Sequence, residues 1–383
     1  MNIANTKVSF CMNIINDEEA KKYFLETIAD EIKEASGEDR FLAVDTEFIR
    51  EEPEIPLLCL IQVASPKHSF VIDVLSTDIS FLNEVFCDRS IPKIFHSARQ
   101  DVEILALCDI ELKNIHDTQI YEMLLSTQEH VSYQSIIKKY LGKQLEKTHV
   151  LSDWSKRPLT DLQLAYAIED VSYLRDVYKK QQQALVVANR TGWLQDEMEI
   201  LSEEAALKNT DNSELEKINS DIYKRLDAWV KNRAAEKNID PERIVKNGII
   251  KSISKRGKKA VHKLKNSRYV KNENTKDFFS FADEIVTEME SHKKQENRNS
   301  LFYALKTILD AVSVDQNIAP LLIATSRDLE KISRNATPEK CFSGWRMEIF
   351  GKYAKAFMNG ELSISAQNSK VVMSNASTVV LET

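Results

Sequence analysis

In the stretch FLAVDTEFIR, residues 41–50, four apolar residues run directly into two carboxylates one residue apart. Read as a strand, Phe41 to Val44 belong to a core, and Asp45 and Glu47 leave the same face. Two ionised acids converging on one spot repel each other unless a cation lies between them. The alternative is a solvated strand end with two unrelated acids, so the rest of the chain has to supply partners. In HSARQDVEIL, Asp101 stands near the start of a helix that follows a strand, and in HDTQIYEMLL Asp117 has an analogous place. In LQLAYAIEDVSYL, Tyr166 and Asp170 are four apart, which stacks them on one helical face. Each alone has an ordinary explanation: helix N-termini favour Asp through the macrodipole, and Tyr166 also suits a core. Together, Asp45, Glu47, Asp101 and Asp170 are four carboxylates, three of them beside strongly apolar segments. Ionised acids gathered there require metal ions, and oxygen-only donors suit Mg²⁺ or Mn²⁺ rather than zinc. Two such ions roughly 3.5–4 Å apart drive in-line displacement at a phosphodiester. Tyr166, one turn before Asp170, is placed to hold the attacking water.

The elements that must position these residues are legible in outline. FLAVDTEF, LLCLIQVA and HSFVIDVL read as strands across residues 41–75, and IPKIFHSA at 91–98 as a fourth that leads into the helical RQDVEILALC. Helical patterns dominate afterwards, in SYQSIIKKYLG and from Asp161 to about Val187. This order predicts an α/β domain on a mixed sheet, ending near residue 200. Residues 203–220 are polar and linker-like. Beyond them the chain reads as all-helical: Leu226, Trp229, Val230 and Ala234 recur at helical spacing, and Asp240-Pro241 opens another helix. A second helical block occupies about 277–362. The tail SAQNSKVVMSNASTVVLET is polar and expected to be disordered.

At 383 residues the chain has room for two or three domains. Its 43% hydrophobic and 29% charged residues describe a soluble globular protein. The five cysteines are scattered with no CxxC pair, which argues against a zinc knuckle or a disulfide framework and fits a reducing cytosol. No apolar run approaches a membrane span, and MNIANTKVSFCMNII lacks the apolar core of a secretory signal. Met12 offers a second start, and a cytoplasmic location is expected. Residues 221–271 hold 16 Lys+Arg against 5 Asp+Glu, a local +11 that leaves −18 of the net −7 for the remainder. So basic a segment in an acidic chain points to a polyanion partner more than to a solvated helical face. No GxxxxGK[ST] loop occurs, so neither a helicase motor nor a nucleotide cofactor is expected.

DTEF, HSARQD and YAIED resemble motifs I, II and III of the DEDD exonuclease superfamily, and Ala165 followed by Tyr166 fits its tyrosine branch. SDWSKRPLTDLQLAYAIEDVSYL, residues 152–174, is similar to the bacterial ribonuclease D family, as are LLCLIQVAS and HDTQI. The resemblance covers nearly the whole chain. It implies an RNase H-like α/β catalytic domain at 12–200, a mixed sheet flanked by helices. Two small all-α HRDC (helicase-and-RNase-D C-terminal) domains would follow at 215–285 and 290–365, with a polar tail at 366–383. GWRMEIFGKYAKAFMNGEL is particularly like the end of the second, whereas the first lacks its usual proline where SISKRGKKAVHKL stands.

The implied activity is a metal-dependent 3'→5' exoribonuclease that trims structured RNA, precursor tRNA above all, and releases 5'-mononucleotides by a two-metal mechanism. Asp45, Glu47, Asp101 and Asp170 would ligate the two cations, Asp101 directly or through water, and Tyr166 would orient the nucleophile. Phe48 is the candidate to pack on the terminal base or sugar. Arg157 is a candidate phosphate contact because its planar fork suits phosphate oxygens; a salt bridge to a neighbouring acid is the alternative. Gln62 and His96 flank the same region as core or supporting groups. The basic 221–271 segment would grip RNA phosphates with strong salt dependence, and the family favours a monomer. A DNA-trimming relative and a catalytically silent RNA-binding scaffold are the competing readings. Silent relatives usually lose one or more metal-binding acids, and here all four are present.

Overall fold

The run LLCLIQVA becomes an almost wholly enclosed strand: after exposed Leu57, every residue to Ala64 is buried. Such a run belongs in the middle of a sheet covered on both faces. The structure is a computed structural model and describes residues 12–49, 56–145, 153–210, 220–265, 273–296, 299–368 and 370–375. The expected N-terminal extension (1–11), the middle of the expected linker (211–219) and the end of the tail (376–383) lie outside the described residues.

Six strands form the sheet: β1 (Met12–Ile15), β2 (Leu42–Ile49), β3 (Leu57–Ala64), β4 (Ser69–Asp73), β5 (Lys93–Phe95) and β6 (Ile115–Asp117), in the order β1-β4-β3-β2-β5-β6. β1 is parallel to β4, β2 to β5 and β5 to β6, whereas β3 and β4 are antiparallel. The sheet is therefore mixed, as expected, with β2 near its centre. Leu42, Ala43 and Val44 are fully buried, and the strand opens to solvent only from Asp45 onward.

The helices of this domain are α1 (Glu18–Glu34), α2 (Asn83–Phe86), α3 (Arg99–Leu107), α4 (Thr118–Met123), α5 (Tyr133–Leu141), α6 (Asp161–Ser172), α7 (Leu174–Val187) and α8 (Thr191–Thr210). α6 starts at a reciprocal capping box in which Thr160 and Gln163 satisfy each other's backbone amides. α8 runs on through the first part of the stretch expected to be linker.

Two compact units divide the chain: Met1–Glu47, Leu58–Ala206 and Arg298–Thr383 in one, Phe48–Leu57 and Leu207–Asn297 in the other. The second unit carries α9 (Ser220–Lys237), α10 (Asn247–Arg256), α11 (Lys258–Lys265) and α12 (Glu273–Glu296). Ile222, Leu226, Val230 and Ala234 form the buried stripe of α9, against Phe278, Phe279, Ala282 and Val286 of α12. Trp229, expected in that stripe, is only partly buried beside it.

The remaining elements are α13 (Ser300–Gln316), α14 (Pro320–Ile323), α15 (Ser326–Ile332), α16 (Gly344–Arg346), a π-helical turn (Met347–Gly351), α17 (Lys352–Met358), β7 (Leu362–Gln367) and β8 (Lys370–Asn375). These helices fall in the block expected as a second small helical domain at 290–365, and their apolar face packs into the catalytic domain. Phe302, Leu305, Ile308, Leu309, Trp345 and Phe350 share one apolar core with Phe41, Ala43, Ile94, Val171 and Leu174 of the catalytic domain. The junction is also hydrogen-bonded. The Ala319 amide donates to the Met123 carbonyl at 2.8 Å, and Arg190 donates to the carbonyls of Leu124 and Gln316. Trp193 of α8 stacks on Trp345 of α16 at 4.9 Å, beside the buried Arg346–Glu197 pair at 2.5 Å. Gly351 has to be glycine, because a Cβ there would stand 2.3 Å from the Cys341 carbonyl oxygen. The tail also departs from the expected disorder: β7 and β8 pair antiparallel from Leu362 to Asn375. Ile364 and Met373 lie against the shared core, which gives the hairpin an apolar seat.

Candidate active site

Period-two alternation along β2 sends Asp45 and Glu47 to the same face at the point where the strand leaves the core. On α6, Tyr166 and Asp170 are one turn apart, and the Tyr166 hydroxyl hydrogen-bonds to the Asp170 carboxylate. Carboxylate oxygens of Asp45, Glu47 and Asp170 all lie within 4.8 Å of one another. Asp101, in the first turn of α3, stands beside this trio rather than within it. It is buried and accepts a hydrogen bond from the Thr46 hydroxyl at 2.5 Å. The residue between the two motif I acids thus reaches the motif II acid.

The turn before α3, the helix that carries Asp101, rests on Asp117. Its carboxylate accepts the amides of Ser97 at 2.8 Å, Ala98 at 3.0 Å and Gln119 at 2.9 Å. It therefore caps α4 and clamps the turn that launches α3, where Ser97 has a left-handed φ of 63°. His96, in the same turn, engages the Thr118 hydroxyl and the Val131 carbonyl, each at 2.9 Å.

The four acids disfavour ionisation when no cation is near. Burial and then the charge of Asp45 raise Glu47 to about 9, with Asp170 and Asp101 adding to the effect. Burial and the neighbouring Glu169 raise Asp170 to about 7, against the hydrogen bond from Tyr166. Asp45 and Asp101 are pushed up by burial first, then by Asp170 and Asp45 respectively. A converging set of buried carboxylates with raised pKa values is what a hard divalent cation relieves. The donors present fit such an ion.

Asp45, Glu47 and Asp170 line a cleft of about 230 Å³ that also takes in Thr46, His96, Tyr133, Gln134, Tyr166 and Leu174. Tyr133 and Gln134 open α5, and the Tyr133 hydroxyl donates to the Glu169 carbonyl at 3.0 Å. Neither was a candidate from sequence, because nothing near SYQSI signals a site and α6 begins only at Asp161. Phe48 follows Glu47 on β2 and is partly exposed. Gln62 is fully buried on β3. Arg157 is committed elsewhere: Nε and Nη2 hold the two carboxylate oxygens of Asp73 at 2.6 and 2.5 Å.

A sequence model of 3'-5' exonucleases matches residues 13–185, and one of the HRDC domain matches 219–281. A ribonuclease D of Bartonella henselae is 33% identical over 359 residues, covering 86% of this chain and 88% of the relative. The chain belongs to the ribonuclease D family. A ribonuclease D of Nitrobacter hamburgensis is 30% identical over 355 residues, with 86% and 93% covered. The crystal structure of Escherichia coli RNase D, an exoribonuclease involved in structured RNA processing, shares the fold. Its TM-score is 0.63 at 22% identity, over 90% of this chain and 98% of that one. Family and fold make the chain a 3'-5' exoribonuclease, and metal dependence accompanies the exonuclease family. Among the described residues no helix is long and apolar enough to cross a membrane.

Proposed function

We propose that this ribonuclease D trims the 3' ends of structured RNAs, precursor tRNA among them, and releases 5'-mononucleotides by in-line hydrolysis with two divalent cations, Mg²⁺ or Mn²⁺. The observation that carries the reading is the meeting of Asp45, Glu47 and Asp170 within 4.8 Å, with Asp101 next to them. These four carboxylates would hold the ions. When bound, such ions supply an activated water and stabilise the departing 3'-oxygen. The Tyr166 hydroxyl, already directed at Asp170, holds the attacking water in line with the scissile phosphorus. Phe48 packs on the terminal base or sugar, where a contact to the 2'-hydroxyl would select RNA. The basic segment 221–271, within the HRDC match, grips phosphates further along the strand with strong salt dependence. The enzyme acts as a monomer in the cytoplasm.

Matched RNA and DNA oligonucleotides, labelled along their length and digested with Mg²⁺, test this reading. Chromatography should show 5'-mononucleotides from RNA and far less product from DNA. Oligonucleotide products, or equal digestion of both strands, would overturn it.

A further inference from the structure

We infer that Arg157 is a positioning residue for the hydrolytic step: anchored on Asp73, it holds Trp154 against the ring of Tyr166. The inference rests on the proposed role of Tyr166 in orienting the attacking water.

The guanidinium has five N–H donors, and all five meet protein acceptors. Nε and Nη2 grip the Asp73 carboxylate at 2.6 and 2.5 Å. Nη1 donates to the carbonyls of Trp154 and Lys156, each at 2.8 Å, and Nη2 also reaches the Cys59 carbonyl at 3.3 Å. A phosphate could take this fork only by displacing Asp73, and breaking a paired, partly buried carboxylate is costly. Asp73 is itself held, because its Oδ1 accepts the Leu75 amide at 3.1 Å. The ion pair thus ties the 153–158 segment to the end of β4 and to the backbone of β3.

What the tie presents is Trp154. It is 2% exposed, and its ring lies 6.0 Å from that of Tyr166 at 35°. The other end of the segment is closed onto α6 by the Thr160–Gln163 capping box, three residues before Tyr166. Tyr166 is therefore braced from its own helix and from the indole. A phenol turns about two side-chain bonds, and its hydroxyl sits at the far end of that lever. A loosened brace moves the hydroxyl more than any other atom of the ring, and an ångström of misplacement at a reacting centre costs up to about a hundredfold in rate. A planar five-donor fork, unlike a lysine ammonium, can hold a carboxylate and three carbonyls at once.

Steady-state trimming of a short 5'-labelled oligoadenylate with Mg²⁺ separates the alternatives, using Arg157→Gln, Trp154→Leu, Trp154→Phe, Tyr166→Phe and the Arg157→Gln/Tyr166→Phe double variant. Arg157→Gln and Trp154→Leu are expected to lower kcat about tenfold or more, with KM and its salt dependence unchanged. Trp154→Phe, which keeps a ring in place, should retain most of the rate. In the Tyr166→Phe background, Arg157→Gln should cost less than about twofold further, because the group it positions is gone. Thermal melts run alongside, and the Trp154 pair carries the test if Arg157→Gln does not fold.

A raised KM with a salt slope reduced by about one would make Arg157 a phosphate ligand and overturn the inference. A full kcat loss persisting without the Tyr166 hydroxyl would also overturn it, reducing the segment to a structural tie. If Tyr166→Phe itself leaves kcat intact, the role given to Tyr166 fails first. If Tyr166→Phe slows the reaction while Arg157→Gln adds in full, only the present inference fails.

Discussion

At the scale of single residues, the site is a concentration of negative charge held in check by protonation. Glu47 is raised from 4.5 to about 9 and Asp170 from 3.8 to about 7, in each case by burial first and neighbouring acids second. Between these limits the folded, metal-free protein binds more protons than the unfolded chain. Stability without metal should therefore fall as pH rises from about 5 to 9. Saturating Mn²⁺ should raise the melting temperature more at the upper end of that range than at the lower, and Glu47→Gln should flatten the metal-free slope. Melting curves in EDTA and in Mn²⁺ across this range check the sign; a metal-free stability that rises with pH would refute the electrostatic reading. The five residues Asp45, Glu47, Asp101, Tyr166 and Asp170 were legible because each lies in a short motif with a strand or helix period. Thr46 on Asp101, Asp117 on Ser97 and Asp73 on Arg157 were not, because each joins positions 20 to 84 residues apart.

At the scale of elements, catalytic geometry depends on turns as much as on strands. The turn between β5 and α3 is held open by a single carboxylate that accepts three amides. Asp117→Ala leaves those donors unpaired and should cost about 1–3 kcal/mol in chemical unfolding. It should also weaken Mn²⁺ binding measured by calorimetry, since α3 carries Asp101. Asp117→Asn keeps part of the acceptor set and should lie between. An alanine variant with unchanged metal affinity would show that α3 is seated by packing alone. β2, β3, β4 and β5 could be read from the sequence because their apolar runs are long or end in turn residues. β1 and β6 could not, since four and three residues carry no period and exist only through pairing with β4 and β5. The β7–β8 hairpin was hidden for a related reason: its Ser- and Asn-rich strands look disordered until Ile364 and Met373 find the core.

At the scale of the whole molecule, the C-terminal helices are part of the catalytic unit rather than an appendage to it. Leu305, Ile308, Leu309 and Phe350 are buried in the same core as Phe41 and Leu174, and burying each such side chain contributes about 1.5–3 kcal/mol. A chain ending at Thr210 should therefore melt well below the full-length protein or aggregate, as differential scanning calorimetry would show; an unchanged melting temperature would mean the shared core is dispensable. The two small helical domains expected at 215–285 and 290–365 came from helical spacing and from the family resemblance, and neither reveals which surface the helices cover. HRDC residues 219–281 do form a helical unit with a core of their own. The central claim is that the acids on β2 and α6 make this chain a metal-dependent nuclease working from the 3' end. Its most direct test is a time course on a 5'-labelled single-stranded RNA, with Mg²⁺, with EDTA, and with an Asp45→Asn variant of unchanged melting behaviour. The account expects a ladder that shortens from the 3' end and is abolished by chelation and by the substitution. Cleavage that survives both, or internal cuts without a ladder, would contradict it.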